Sequence, residues 1–142
     1  MKIEDIEKTL PNGFHDAILQ RLNIDYINKI IEFDLKIWIG DLASKNEVTR
    51  EEYRKMRLTL KGFTFFIIEK PDHTYPFASC EELTIDMGRL SSLKDSKYLE
   101  NLILTLPEKA LSYWIFVSQW NSFIYFSALD AEYEWIDSKN NS

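Results

Sequence analysis

Apolar and polar residues alternate most regularly over Ile31–Ile39, and Ala17–Tyr26 before it follows a similar pattern. A period of two is typical of strands with one buried face. The Asn28-Lys29 pair between the two segments predicts a short turn, so we expect a two-stranded antiparallel hairpin. The predicted inward positions are Ile18, Leu22, Ile24 and Tyr26 on the first strand and Ile31, Phe33, Leu35, Ile37 and Ile39 on the second.

A second hairpin is predicted farther along the chain. Tyr113–Gln119 and Phe123–Ala128 are rich in aromatic and β-branched residues, and the polar pair Asn121-Ser122 separates them. Both runs are apolar on both faces, so we expect this hairpin in the middle of the protein with each side covered. In a second interpretation one side contacts a partner, because Trp and Tyr dominate binding hot spots. The aromatic residues concerned are Trp114, Phe116, Trp120 and Tyr125.

Helical signals are short. Lys2–Leu10 carries apolar residues at helical spacing and is followed by Pro-Asn-Gly, which predicts a helix that ends there. Asp41–Arg54 is polar, and we expect a loop or a single helical turn. Leu99–Leu106 fits both a helix and a strand, and we favour a helix that ends before Pro107.

Two further segments have the pattern of strands. Arg57–Glu69 predicts one long strand with a bulge or bend at Gly62, and Leu83–Met87 predicts another strand. The prolines of Pro71–Pro76 indicate a connection, and the polar residues Asp137–Ser142 predict a frayed tail. We therefore predict one α+β domain over residues 1–142, mostly antiparallel β, as a sheet or sandwich with one or two short helices.

Composition narrows the classes of function. Lys and Arg total 17 against 23 Asp and Glu, a net charge of −6, and no basic stripe typical of nucleic-acid binding is present. No apolar run approaches the roughly 20 residues of a membrane helix, and the charged first residues do not resemble a signal peptide. The single cysteine, Cys80, excludes an internal disulfide and is predicted to be a buried thiol. We expect a cytoplasmic protein.

The dipeptide His15-Asp16 is one candidate site. An imidazole beside a carboxylate can act as a general base or a metal ligand. Alternatively, Asp16 caps a backbone turn and His15 makes one structural hydrogen bond. Neighbouring strand residues point to opposite faces, which argues against direct pairing of the two. His73 has no ligand spacing to His15, so we predict a solvated loop histidine, no bound metal and no cofactor.

A second candidate site lies in the acidic segment that follows the aromatic hairpin. Acidic and apolar residues alternate there, which predicts a strand with one wet, negative face. Such a face suits a basic protein partner, although acidic edges are most often ordinary solvated surface. The predicted binding residues are Asp130, Glu132, Tyr133, Glu134 and Trp135.

The Gly-Phe-His-Asp-Ala sequence of Gly13–Ala17, followed by an alternating hairpin, resembles the opening of small uncharacterised bacterial proteins. Some of these are grouped with the immunity proteins of polymorphic toxin systems. The turn Trp120–Ser122 and the acidic, aromatic tail are similar too. The resemblance implies a cytoplasmic protein that binds and neutralises a toxin-like partner without catalysis, and it assigns no residue a role.

Three functional hypotheses follow. The first is a non-catalytic protein-binding protein, of the immunity type, that uses an acidic and aromatic surface. The second is a small-molecule or metal-dependent enzyme centred on His15 and Asp16. The third is a homodimeric structural protein that buries its aromatic strands in a self-interface.

Overall fold

The structure is a computed structural model that describes residues 1–72, 82–90, 106 and 110–137. In this part of the chain, two short helices and one 3-10 turn accompany eight strands. The helices are α1 (Ile3–Thr9) and α2 (Glu47–Arg50), and the 3-10 turn is Ser118–Trp120. The strands are β1 (Ala17–Asp25), β2 (Ile30–Trp38), β3 (Tyr53–Lys61), β4 (Phe66–Ile68), β5 (Leu83–Arg89), β6 (Leu111–Val117), β7 (Ser122–Ala128) and β8 (Asp130–Trp135).

All eight strands belong to one sheet in the order β4-β7-β6-β5-β1-β2-β3-β8, and every neighbouring pair is antiparallel. This confirms the predicted α+β, mostly antiparallel class. Both predicted hairpins are present, since β1 pairs with β2 and β6 pairs with β7. The strands predicted near Leu83 and at Asp130–Trp135 are also confirmed.

The sheet curls on itself at one corner. β3 pairs with β8 while its successor β4 pairs with β7, and only Leu129 separates β7 from β8. The segment that contains β3 and β4 therefore runs beside the segment that contains β7 and β8, and these two segments connect the two ends of the strand order. The bend predicted at Gly62 is present, with φ +70°, but the prediction of one continuous strand over Arg57–Glu69 is wrong, because the segment is divided into β3 and β4. Leu129 packs on Gly62 so closely that a Cβ there would lie 2.6 Å from Leu129 Cδ1.

The core fills the concave side of this curled sheet. The alternating inward residues of β2 are fully buried, as predicted, and meet inward residues of β3 such as Leu58 and Leu60. Ile3 and Ile6 anchor α1 to the same core, which is why a seven-residue helix is stable. The buried residues of β2 are Ile31, Phe33, Leu35 and Ile37.

The aromatic hairpin has apolar neighbours on both faces, as its sequence predicts. Tyr113 and Phe126 belong to the main core. On the opposite face Tyr125 forms a second cluster with Phe65 and Leu90, against which Trp114 packs. The predicted turn differs, because the chain reverses through the 3-10 turn and Asn121 (φ +46°), and the residue that follows already belongs to β7.

A bulge in β1 corrects the predicted inward face. Leu19 pairs with Leu35 but Arg21 pairs with Asp34, so Gln20 is an extra residue that reverses the alternation. The inward residues are consequently Ala17 and Leu19 before the bulge and Leu22 and Ile24 after it. Ile18 lies opposite Lys36 on the outer face, so its predicted inward position is wrong.

Tyr26 is also misassigned by the alternation. It lies outside β1, in the four-residue turn that leads to β2, and 67% of its surface is exposed. The turn is set by Asp25, whose carboxylate accepts the backbone N–H groups of Ile27 and Asn28, and by Lys29 in the left-handed region at φ +58°. Side-chain capping of a turn competes with continuation of the strand.

Two further predictions concern helices, and several others fall outside the described residues. The N-terminal helix is confirmed as α1, and Asp41–Arg54 contains one helical turn, α2, capped by the side chain of Asn46. Outside the described residues lie His73, Cys80, most of the connection predicted after Pro71, the segment predicted as helical except Leu106, and the tail beyond Asp137. No helix in the described ranges is both long enough and apolar enough to cross a membrane.

Candidate functional site

The acidic strand β8 separates its charges from its aromatic rings. Glu132 and Glu134 are exposed on the outer face, whereas Tyr133 and Trp135 are half-buried and pack against the core. This follows from the alternation of side chains along a strand. A partner on the outer face would therefore meet the carboxylates first, and the rings only at their rims.

Cations on β3 stand opposite the β8 carboxylates. Lys61 Nζ lies 3.1 Å from Glu132 Oε1, and Arg57 is the direct cross-strand neighbour of Glu134. Asp130 accepts a hydrogen bond from the amino group of Met1, which lowers the pKa of the Asp130 carboxyl. Cross-strand pairs of opposite charge stabilise a sheet by about 0.2–1 kcal/mol.

The network continues onto β2 and β1. Arg57 donates from Nε and Nη2 to the two carboxylate oxygens of Asp34, at 2.8 and 3.2 Å, and Arg21 Nη1 lies 3.7 Å from Asp34. These hydrogen bonds lower the pKa of Asp34, whose side chain is only 16% exposed. The residues Asp34, Arg57, Lys61, Glu132 and Glu134 are named the charge ladder below.

Trp135 has an intramolecular cation on its ring. The guanidinium carbon of Arg54 lies 4.2 Å from the ring centroid, and Arg54 Nε donates to Asp137 Oδ2 at 2.9 Å. The face of Trp135 is thus occupied by an interaction within the chain.

His15 and Asp16 contact each other. His15 Nε2 lies 3.3 Å from Asp16 Oδ2, so the expectation that they point apart is wrong. The reason is that both residues belong to the turn before β1, where Asp16 adopts φ +54°, and not to the strand. His15 Nδ1 also lies 3.0 Å from Oδ1 of Asp86 on β5.

Asp86 was not found by sequence reasoning. It is 71 residues from His15, and no local motif connects them. The pairing of Ala17 with Ile85 brings their segments together. The hydrogen bond with Asp86, aided by the charge of Asp16, raises the pKa of His15. The imidazolium form can donate from Nδ1 to Asp86, and its Nε2 then lies at ion-pair distance from Asp16.

A groove of about 340 Å³ opens beside this cluster. Trp38 and Tyr53 are direct cross-strand neighbours at the ends of β2 and β3, on the same outer face as the charge ladder. Trp38 Nε1 donates to the Arg50 carbonyl at 2.7 Å, and the Tyr53 hydroxyl donates to the Asp16 carbonyl at 3.4 Å. The groove is lined by Asp16, Trp38, Leu42, Arg50, Glu51 and Tyr53.

Carboxylates surround Tyr53 at the groove. Partial burial raises the pKa of the Tyr53 hydroxyl, and the nearby carboxylates of Asp16, Glu82 and Glu51 raise it further. Among the residues that the structure describes, Arg50 is the one cation of the lining. Sequence reasoning missed this site because each lining residue, apart from Asp16, is an ordinary surface residue in its own segment.

The described ranges contain no group of three or more His, Cys, Asp or Glu side chains that could hold a metal ion.

Comparisons of the chain with protein-family models, with curated proteins and with solved structures found no match. The site must therefore be interpreted from its own chemistry.

Proposed function

We propose that this chain is a non-catalytic protein that binds a basic protein partner, as immunity-type inhibitors bind toxins. The observation that carries the proposal is the exposed row of carboxylates on β8, in a chain of net charge −6. Alternate residues of a strand are about 7 Å apart, so Asp130, Glu132 and Glu134 form a regular acidic line. Complementary charge of this kind speeds encounter and selects the partner.

The β8 carboxylates remain available to a partner despite the cations near them. Exposed ion pairs contribute only about 0–1 kcal/mol, so a basic side chain can replace Lys61 at Glu132 at little cost. Within the described residues, Glu134 has no ion pair shorter than 4 Å. Trp135, at the end of the row, would supply apolar contact at its rim.

The contacts of His15 support binding better than catalysis. A general base needs a free imidazole nitrogen, and both nitrogens of His15 face carboxylates. His15 is also absent from the lining of the neighbouring groove. An enzyme remains the second candidate, because the groove holds Asp16 beside two aromatic rings. Turnover of any substrate that His15→Ala abolishes, with folding unchanged, would establish that candidate instead.

Self-association through β8 is a less suitable function for this surface. In an antiparallel pair of two β8 strands, acidic side chains of the two copies would face one another, and like charges directly opposite are destabilising. A homodimer that hides the aromatic hairpin is equally unsupported, because that hairpin already packs against apolar residues on both faces.

The test is affinity capture from the native host followed by binding kinetics against the recovered protein. In the variant Glu132→Gln with Glu134→Gln, we expect slower association and a weaker dependence on salt. Trp135→Ala should mainly speed dissociation. The matched control, Gln20→Lys with Asn23→Lys, changes the net charge equally on exposed β1 positions and should affect association less.

Recovery of no protein partner, or of an acidic one, would contradict the proposal. A basic partner whose association responds equally to the β8 variant and to the β1 control would mean that net charge alone governs the encounter.

A further inference from the structure

We infer that the groove between Trp38 and Tyr53 binds an arginine side chain of the basic partner. This inference rests on the proposed function and names a contact at a surface separate from β8. Its basis is the combination of an open cavity, two aromatic walls and two acidic residues in the lining. None of these features is part of the charge ladder.

The aromatic walls are held in position before any ligand arrives. Trp38 is fixed by the hydrogen bond from its indole to the Arg50 carbonyl, and Tyr53 by its hydroxyl bond to the Asp16 carbonyl. Gly40 lets the Arg50 carbonyl approach, because a Cβ there would lie 1.9 Å from that oxygen. Walls that are already ordered lose little conformational entropy on binding.

The chemistry of the lining matches a guanidinium group. A guanidinium is planar, stacks on aromatic rings and donates hydrogen bonds to carboxylates in a fixed fork. The groove offers the rings of Trp38 and Tyr53 together with the carboxylates of Asp16 and Glu51. Glu82 adds to the negative potential at Tyr53 without lining the groove. A carboxylate ligand would be repelled by the same groups.

The rim of the groove also suits a protein ligand. Leu42 and Val48 are 73% and 79% exposed, and both belong to the segment that carries α2. Leu42 lines the groove, so the aliphatic part of an arginine or a neighbouring apolar residue could pack on it.

Arg50 makes the inference sharply testable. Arg50 is a cation among the described residues of the lining, so its charge repels an incoming guanidinium. Its removal should therefore strengthen binding, whereas removal of a carboxylate should weaken it. A site that merely responded to folding defects would weaken in both cases.

The experiment uses the capped tripeptide Ala-Arg-Ala as the probe and NMR of the indole N–H groups as the readout. At pH 7 and low salt we expect the Trp38 indole signal to shift with saturation, while the Trp114 indole, which donates to the Arg89 carbonyl elsewhere, stays unchanged. The capped tripeptide with citrulline in place of arginine has nearly the same shape without the charge and should bind much more weakly.

Four variants complete the test. Glu51→Gln should weaken binding about threefold and Arg50→Gln should tighten it about threefold, as expected for single exposed charge pairs. Glu132→Gln on β8 is the matched control and should leave the affinity unchanged. Tyr53→Leu removes a wall and should weaken binding in a protein whose amide spectrum otherwise remains folded.

The inference is overturned if the arginine peptide causes no saturable Trp38 shift, if the citrulline peptide binds equally well, or if Arg50→Gln and Glu51→Gln act in the same direction. These failures leave the proposed function standing when a captured basic partner still depends on Glu132 and Glu134. Capture of no partner, together with a positive peptide titration, would instead contradict the proposed function and support the groove.

Discussion

Two acidic regions lie on the same outer face of β2 and β3, and they balance their charges differently. In the charge ladder, strand pairing sets Asp34 against Arg57 and brings Lys61 to Glu132. At the other end of these strands, Trp38 faces Tyr53, and among the described residues the lining of the groove beside them holds Asp16 and Glu51 with the single cation Arg50. Acidity in the sequence therefore does not show which carboxylates are paired, because cross-strand neighbours decide which charges are satisfied.

The charge ladder and the groove also differ in the part of the protein beneath them. The charge ladder covers the most completely buried part of the core, whereas the groove lies where β2 and β3 give way to the segment between them. Full burial under the ladder and solvent access at the groove are both consequences of that position. Substitutions in the core, in the ladder and at His15 test this contrast.

The largest effect should come from the core beneath the ladder. Phe33→Ala and Ile37→Ala each remove a side chain that is fully buried, so we expect losses of about 2–5 kcal/mol in the free energy of unfolding. Glu32→Ala and Lys36→Ala on the outer face should change it by less than about 0.5 kcal/mol. Urea unfolding curves measure all four. Equal losses on both faces would mean that the outer charges are as important as the core.

Asp34→Asn should have an intermediate effect. Asp34 is mostly buried and accepts two hydrogen bonds from Arg57, so at pH 7 we expect a loss of about 1–2 kcal/mol. Folding lowers the pKa of Asp34. The residue therefore stabilises the protein at pH values above its pKa in the unfolded state, about 3.9, and this stabilisation is lost as the pH falls through the pKa in the folded state.

The measurement for Asp34 is unfolding stability as a function of pH in the parent protein and in Asp34→Asn. The two curves should be separated at pH 7 and converge toward pH 2. Parallel curves over that range would contradict the assignment of the lowered pKa to Asp34.

The exposed end of the ladder should matter less to stability. Lys61 and Glu132 are about half exposed, and such pairs are screened by solvent, so Lys61→Gln and Glu132→Gln should each cost less than about 0.5 kcal/mol. A double-mutant cycle in urea gives their coupling energy. A coupling above about 1 kcal/mol would show that Glu132 is held too firmly to be offered to a partner.

The smallest expected effect on stability is at His15, where the informative quantity is a pKa. Asp86 and Asp16 raise the pKa of His15 above its ordinary value, so NMR titration should give a value above about 6.5, and Asp86→Asn should move it down more than Asp16→Asn. The stabilisation from these contacts is fully present below the unfolded pKa and is lost as the pH rises through the folded one. An unchanged His15 titration in Asp86→Asn would contradict the observed hydrogen bond.

Local sequence determined the parts of this protein that depend on side-chain period. Alternation over β2 predicted its four fully buried residues, because a strand turns every second side chain to the same face. The acidic, exposed face of β8 and the apolar character of the β6–β7 hairpin follow from the same rule. These features need no knowledge of the pairing partner.

Only the tertiary structure decided the features that depend on pairing. The extra residue Gln20 reverses the inward face of β1, and Gly62 divides a predicted single strand where the sheet curls. Asp86 reaches His15 across 71 residues because β5 pairs with β1. The period of a sequence fixes which residues share a face of one strand, but the register between strands fixes which charges meet. That register depends on the packing of the whole sheet.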